Sequence, residues 1–520
     1  MDNFNKFVTK HFKISLIFLA LGFVFGIIYS INLLGFSINS ITLQPQNMRS
    51  IHISLMLYGF ITLMLSYLPF LLINKEIGYS NEGLRYLDLF TIFWYIFLVF
   101  MVISLLFGNT RGLAFYDFAY ELNFILAFAG LFYIIALYKF VKLYKTYPTW
   151  VKICLRVVII APFTLLILMN PIIGQVQSTI SGPHGDNTLG MSLAIIPLYY
   201  LIIKLLNKGE FKARWNIFWI IPSIFYTISV LYRTFYAPLT YNQEWFLQYL
   251  SLFYIPLLYR WYKDCNINGF AKKTLLISII AFLFVDIEGN ILFIPQIRWL
   301  FHRNDLIVAH AHIAMGIGIL FMCFAMFDNY IKFIKNSKFI KIYLFGILGI
   351  FTVLSISGFT QAGYLNISTN TMWYLRTLFG VVVLVSIFSF IKINLHLSHI
   401  QKYNLIGILN DGLGGIFLIL FASYLYPMVG FYFDGKYEYV VFAFVCLTGV
   451  IHFMALIYTQ YTHILTKVTI ITRVFISAVF FALYSNNTLG YEALFISLFD
   501  LIFASYYLIF IYNKEISCKE

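Results

Sequence analysis

Runs of about 20 consecutive apolar residues recur along the chain from near residue 12 to near residue 512, with short polar breaks between them. A helix of roughly 20 residues is long enough to cross the hydrocarbon core of a bilayer. We count about sixteen such runs. Of the 520 residues, 61% are hydrophobic and only 11% are charged, too few to give one soluble core a polar surface. The sequence therefore predicts an all-α integral membrane protein.

Basic residues gather at every second break between the apolar runs, as in residues 139–152 and 332–341. The alternate breaks, such as residues 175–183, are nearly free of charge. This alternation follows the positive-inside rule and predicts that both termini are cytoplasmic. It accounts for the net charge of +14 without a nucleic-acid partner. The first apolar run has no small-residue cleavage site behind it, so we expect a retained span.

The histidine content of the chain changes near residue 400, which divides it into two predicted parts. Residues 1–400 form a predicted twelve-helix core, and residues 401–520 form an appendage of about four transmembrane helices. The appendage contains only His452 and His463, and it has either a separate function or an ordinary lipid-facing packing role. The five cysteines show no pairing pattern and no Cys-x-x-Cys-His occurs, so neither a disulfide framework nor a covalently attached heme is indicated.

Four histidines are expected at similar depth in the membrane. With the predicted orientation, the second helix begins outside near Met48 and places His52 one turn in, while the tenth places His310 and His312 about two turns in. His184 begins the sixth helix on the same side. Histidines within a membrane are costly unless they face the interior and find a partner, so each is a candidate functional residue.

The pair formed by His310 and His312 has the most specific spacing. Residues two apart on an α-helix project about 200° apart, so these two imidazoles cannot bind one iron together. They can instead bind two irons on opposite sides of the helix, because neutral imidazole is a common axial heme ligand. The alternative is that both histidines form hydrogen bonds to neighbouring helices.

Three stretches of the sequence resemble the main subunit of the heme-copper oxidase superfamily, especially nitric oxide reductases and C-family oxygen reductases. His302 to Met315, which reads His-Arg-Asn-Asp-Leu-Ile-Val-Ala-His-Ala-His-Ile-Ala-Met, is similar to the tenth-helix signature. Arg49-Ser-Ile-His-Ile-Ser-Leu, followed by Tyr-Gly-Phe and Tyr-Leu-Pro, resembles the second helix. Gly-Phe-Thr-Gln-Ala-Gly-Tyr, ending at Tyr364, resembles the end of the eleventh. The resemblance covers about residues 12–395.

The resemblance implies a role for each histidine. His52 and His312 would hold a six-coordinate low-spin heme, and His310 a high-spin heme with one open face. His184 corresponds in position to the sixth-helix ligand of a non-heme copper or iron. The two further histidine ligands expected on the seventh helix are absent, because Leu-Tyr-Arg-Thr occupies residues 231–234 and no histidine lies between His184 and His302.

One imidazole does not make a copper site, since such a metal needs three or four donors. The cation of Arg233 would also repel a divalent metal, although it suits a heme propionate or another anionic group. We therefore expect no stoichiometric copper and little or no oxygen reduction. His184 remains open between a residual metal ligand, a hydrogen-bond donor to a heme-bound ligand and a structural cap.

The function implied is a respiratory oxidoreductase of the cytochrome oxidase and nitric oxide reductase type in a bacterial inner membrane. It would receive electrons from cytochrome c or quinol and pass them to nitric oxide, oxygen or another nitrogen oxide. The resemblance is also compatible with a small partner subunit. One alternative is a non-catalytic heme protein for electron relay or gas sensing. Another is a transporter, which the His-x-His pattern disfavours. No individual catalytic residue is identified.

Several other polar residues allow two interpretations. Asp286 and Glu288 are expected within the ninth helix, and Asp117, Glu121 and Asp186 near the outer surface. Such acids are protonated, paired or part of a proton path. Arg49 is an interfacial anchor or a propionate partner. His452 is a lone histidine on an apolar helix, for which we expect a packing role.

Overall fold

A computed structural model of the chain describes residues 3–35, 44–111, 117–156, 186–301, 304–328, 337–394, 398–428 and 432–509. Within these ranges the regular structure is entirely helical, which confirms the all-α prediction. Eleven of the described helices are long and apolar enough to cross a membrane. A shorter apolar helix lies at Ile217–Arg233. The chain is therefore a multi-pass membrane protein.

The chain divides into two compact units, Met1–Asn394 and Leu395–Glu520, and each is described by itself. The division lies close to the boundary at residue 400 that the histidine distribution predicts. The helices of the first unit are α1 Asn3–Leu33, α2 Pro45–Ile77, α3 Asn81–Leu106, α4 Asn123–Val141, α5 Asp186–Leu206, α6 Ile217–Phe235, α7 Tyr241–Tyr249, α8 Tyr254–Asp264, α9 Gly269–Leu292, α10 Pro295–Phe301, α11 Asp305–Met326, α12 Ser337–Gln361 and α13 Thr369–Asn394.

The helix that carries His310 and His312, α11, packs against α9 and α12, and α1 packs against α2 and α13. Apolar side chains from these helices form one continuous buried cluster that includes Phe12, Phe60 and Phe321. Burying this surface holds the helices together at their inner faces, while many outward apolar side chains stay exposed for lipid.

The start of α11 is fixed by contacts with the end of α12. The Asn304 side chain caps α11 by accepting a hydrogen bond from the backbone N–H of Leu306, at 3.0 Å. Ser357 and Gln361 donate to the Asp305 carboxylate, at 2.6 and 3.0 Å. A Cβ atom at Gly358 would lie 2.7 Å from the backbone nitrogen of Leu306, so only glycine permits this approach. These contacts set the position of the histidine helix.

The helices that carry His52 and His310/His312, α2 and α11, each contain a π-helical segment just after these histidines. The segment in α2 spans Leu55–Thr62 and begins after His52, and the segment in α11 spans Ala314–Ile319 and begins after His312. Such segments are uncommon and are frequent at functional sites, because the wider turn redirects the side chains around it.

The second unit contains α14 His399–Gly407, α15 Gly414–Met428, α16 Glu438–Ile457, α17 Thr462–Ser485 and α18 Tyr491–Tyr507. A π-helical segment, Ile408–Leu413, joins α14 to α15. This segment packs closely against α16, since a Cβ atom at Gly449 would lie 2.3 Å from the Cα of Gly412. Small residues allow such close contact between membrane helices.

Candidate functional site

His52 and His312 lie opposite each other between α2 and α11. Their ring centroids are 6.5 Å apart and the ring planes differ by 24°. This distance lies near the upper end of the range for a stacked aromatic pair, so direct stacking contributes little. A metal bound about 2 Å from one nitrogen of each ring would separate the two ring centres by roughly 6 Å. The pair is therefore spaced as two axial ligands of one metal would be.

The Nδ1 atoms of both rings are engaged with backbone carbonyl oxygens. Nδ1 of His52 lies 2.7 Å from the carbonyl oxygen of Gly22, and Nδ1 of His312 lies 2.7 Å from that of Val308. A carbonyl oxygen only accepts, so each Nδ1 carries the proton and donates. The lone pair of each imidazole is then on Nε2, which is the arrangement that metal-binding histidines adopt.

Helix α1 also sets the orientation of the His52 ring. A Cβ atom at Gly26 would lie 2.7 Å from Nδ1 of His52 and 2.9 Å from its Cε1. Gly26 is one helical turn beyond Gly22, so the same face of α1 provides the hydrogen-bond acceptor and the space for the ring. Any side chain at position 26 would push the imidazole out of place.

His310 has different neighbours from His312. Its Nδ1 lies 3.2 Å from Oε2 of Glu288 on α9, and both side chains are largely buried. A Cβ atom at Gly289 would lie 3.3 Å from Cε1 of His310, and Gln248 donates to the Gly289 carbonyl oxygen at 2.7 Å. A carboxylate on Nδ1 fixes the ring and makes Nε2 a stronger donor to a metal.

The two histidines of α11 therefore have different neighbours. His312 faces His52 on α2, and His310 faces Glu288 on α9. Their contrasting contacts follow from the rotation of about 200° between residues two apart on a helix. The sequence places Glu288 on the ninth helix, but its pairing with His310 requires the packing of α9 against α11.

Arg376 on α13 is a residue that the sequence analysis did not single out. It is close enough to His52 and His312 to interact electrostatically with both. Its Nε donates to Ser30 at 3.2 Å, but its buried Nη2 has no hydrogen-bond partner among the described residues. A guanidinium nitrogen of this kind beside the two histidines could bind a carboxylate of a bound group, such as a heme propionate. Arg49, the sequence-based candidate for this role, is exposed.

The other acidic candidates occupy separate positions. Asp286 is buried and accepts a hydrogen bond from Ser192 at 3.2 Å, and its Oδ2 has no partner in the part of the chain that the structure describes. Ser50, two residues before His52, donates to the Asp117 side chain. Glu121 lies in a short turn that leads into α4. These contacts are hydrogen bonds of individual acids, and they do not join into one continuous path.

Some candidate residues predicted from the sequence lie outside the described residues. These include His184 and His302, and also the side chain of Asp186 at the start of α5. Tyr232 and Arg233 lie near the end of α6 and are exposed. Among the described ranges, no group of three or more His, Cys, Asp or Glu side chains is arranged to hold a metal ion.

The chain was compared with protein-family models and with curated proteins, and neither comparison gives a match. The assignment of a function therefore depends on the geometry of the residues themselves.

Proposed function

We propose that this chain is a heme-binding membrane oxidoreductase that resembles the main subunit of the heme-copper oxidase and nitric oxide reductase superfamily. His52 and His312 would hold one heme as two axial ligands, and His310 would hold a second heme alone. A heme with two protein ligands exchanges single electrons, whereas a heme with one protein ligand also binds a small gas on its open face.

The main observation that supports this proposal is the spacing of His52 and His312. A packing role alone does not explain why the two rings face each other at 6.5 Å with both Nδ1 atoms bonded to carbonyl oxygens. That arrangement leaves two Nε2 lone pairs available at a distance that suits one iron. The unpaired Nη2 of Arg376 adds a cation for a propionate.

The contact between His310 and Glu288 supports a separate second ligand. The carboxylate holds the imidazole by its Nδ1, and the buried surroundings keep this contact strong. With His312 directed at His52, no second histidine of α11 shares the site of His310. His310 therefore leaves one coordination position open to nitric oxide, oxygen or another nitrogen oxide.

A non-catalytic role in electron relay or gas sensing is the second candidate. The observation that favours it is the lack of histidine between His184 and His302, which removes the expected ligands of a non-heme metal. Gas binding that is not followed by consumption of the gas would identify this role.

The remaining parts of the proposal concern topology and partners. We place the chain in a bacterial inner membrane, with twelve core helices, about four further helices and both termini in the cytoplasm, because basic residues occupy alternate breaks. Cytochrome c or a quinol is the proposed electron donor, and a small subunit is a further proposed partner. His184 stays a proposed ligand of the gas-binding site.

Replacement of the three histidines one at a time tests the proposal. His52→Ala and His312→Ala should each remove the low-spin absorbance while carbon monoxide still binds, because they hold the same iron. His310→Ala should do the reverse, since its ring faces the other side of α11. Difference spectra and pyridine hemochrome content of the purified protein give both readings, with two hemes per chain expected in the unchanged protein.

His463→Ala is the matched control, because His463 is an exposed histidine of the second unit. It should retain both spectra. Purified protein without heme would contradict the whole proposal. Loss of carbon monoxide binding in His312→Ala together with its retention in His310→Ala would show that the two sites are exchanged.

A further inference from the structure

The second unit contains a buried ionic network that the heme proposal does not use. Arg473 on α17 donates to two carboxylates, those of Asp411 and Asp500. His452 on α16 places its Nε2 3.5 Å from Oδ2 of Asp411. Each residue comes from a different part of the unit: the π-helical segment, α16, α17 and α18. The exposed fractions are 0% for His452, 3% for Arg473 and 4% for Asp411.

The charges of this network do not balance when His452 is neutral. Asp411 and Asp500 supply two negative charges and Arg473 only one positive charge. An uncompensated charge within a membrane protein is costly, because the surroundings are poorly polarisable. The cation of Arg473 contacts both carboxylates and would repel a metal cation placed beside them. A proton is the smallest cation that restores the balance.

The hydrogen bonds around His452 specify where this proton binds. The Asn404 amide nitrogen donates to Thr466 at 2.8 Å and to the carbonyl oxygen of Ile400 at 2.9 Å. Its amide oxygen therefore faces Nδ1 of His452, at 2.9 Å, and accepts from it. Nδ1 keeps its proton in both charge states, so the second proton is gained or lost at Nε2, next to Asp411.

Polar side chains lie along the buried face of α17 on both sides of this site. Thr462, Thr466 and Thr469 lie on one side of Arg473, and Ser477 lies on the other. Ser477 is hydrogen-bonded to Ser497 on α18, at 3.1 Å between the two hydroxyl oxygens. From Thr462 to Ser477 the helix rises about 22 Å, most of the thickness of a bilayer core. The hydroxyl groups of the three threonines donate to backbone carbonyl oxygens, at 2.6–2.8 Å, so this buried face of α17 is polar along most of that length.

We propose that the network of Asp411, His452, Arg473 and Asp500 is an exchangeable proton-binding site at the centre of this four-helix unit. The proton binds at Nε2 of His452 and is stabilised by the Asp411 carboxylate, next to the polar face of α17. The site is independent of the hemes proposed for the first unit.

The groups around His452 determine how its proton affinity should respond to substitution. Asp411 and Asp500 favour the imidazolium and Arg473 opposes it, because like charges repel and opposite charges attract. The aromatic side chains next to it carry no charge. They are Tyr403 and Phe503. The other basic groups of α14 and α17 are exposed, namely His399, Lys402, His463 and Lys467.

The test is nitrogen NMR of the full chain, labelled in its histidine rings and reconstituted in lipid. His452→Gln identifies the His452 resonances by their loss, and His463→Gln should leave them in place. We expect both imidazolium and neutral imidazole resonances of His452 to appear as the pH is varied over a range in which the chain stays folded, because the proposed proton is exchangeable. Asp500→Asn should lower the midpoint by about one pH unit or more, because it removes one negative charge.

Asp411→Asn should lower the midpoint further, since it removes the direct partner, and Asp434→Asn is the control because Asp434 lies in a loop away from the network. Should Asp411→Asn fail to fold, Asp500→Asn gives the same sign by itself. A His452 ring that stays neutral or stays charged over the whole range would overturn the proposal. So would a midpoint that Asp500→Asn leaves unchanged, because the network would then be a fixed ion pair.

Discussion

Substitution of Gly26 by alanine should displace His52 without changing any proposed ligand. The new Cβ atom would lie 2.7 Å from Nδ1 of His52, whereas ordinary contacts begin at 3.4 Å. The ring must therefore move by roughly 0.7 Å, which stretches the 2.7 Å hydrogen bond to Gly22 beyond the usual limit of about 3.2 Å. Loss of such a supporting bond typically lowers metal affinity about 10-fold to 100-fold.

The assay for Gly26→Ala is the low-spin absorbance per chain after purification under limiting heme. We expect a decrease of about tenfold in this signal, with carbon monoxide binding at the His310 site unchanged. Gly380→Ala is the matched control, because Gly380 also faces α1 but its Cβ atom would lie 3.6 Å from Ile27, an ordinary contact. A full low-spin signal in Gly26→Ala, or an equal loss in Gly380→Ala, would refute the role of this face of α1.

Two further predictions concern the second site. Glu288→Gln should raise the reduction potential of the heme proposed to bind at His310, because this histidine loses its carboxylate partner and donates less to the metal. A redox titration measures this potential. Asp286→Asn, on the same helix, is the control and should leave the potential unchanged. Elemental analysis of the purified chain should find about two irons and no stoichiometric copper, because one imidazole is too few donors for copper. One copper per chain with rapid oxygen uptake would show that other residues complete a metal site.

Much of the candidate heme site follows from the sequence alone, because it depends on local geometry. The spacing of His310 and His312 fixes the directions in which the two side chains leave the helix, about 200° apart, whatever the helix packs against. The structure places them accordingly, toward Glu288 and toward His52. The supporting residues do not follow in this way. Gly22, Gly26 and Arg376 become neighbours of His52 only when α1 and α13 pack beside α2.

In the second unit, the contacts of the buried network also cannot be predicted from the sequence. His452 is a lone histidine in its segment of sequence, and a packing role is the natural expectation for it. The structure surrounds it with Asp411, Asn404 and Arg473, which come from other helices. No local pattern links these residues, because their contacts join parts of the chain that are distant in sequence.

The sequence by itself determined that the chain is an all-helical membrane protein, since long apolar runs have no other stable arrangement in a bilayer. It also determined that two histidines of one helix face opposite ways, since helix rotation is a local property. Tertiary structure alone decided that His52 meets His312 at 6.5 Å and that Arg473 joins two carboxylates. Those contacts depend on which helices become neighbours, and that choice is made by the packing of whole helix faces.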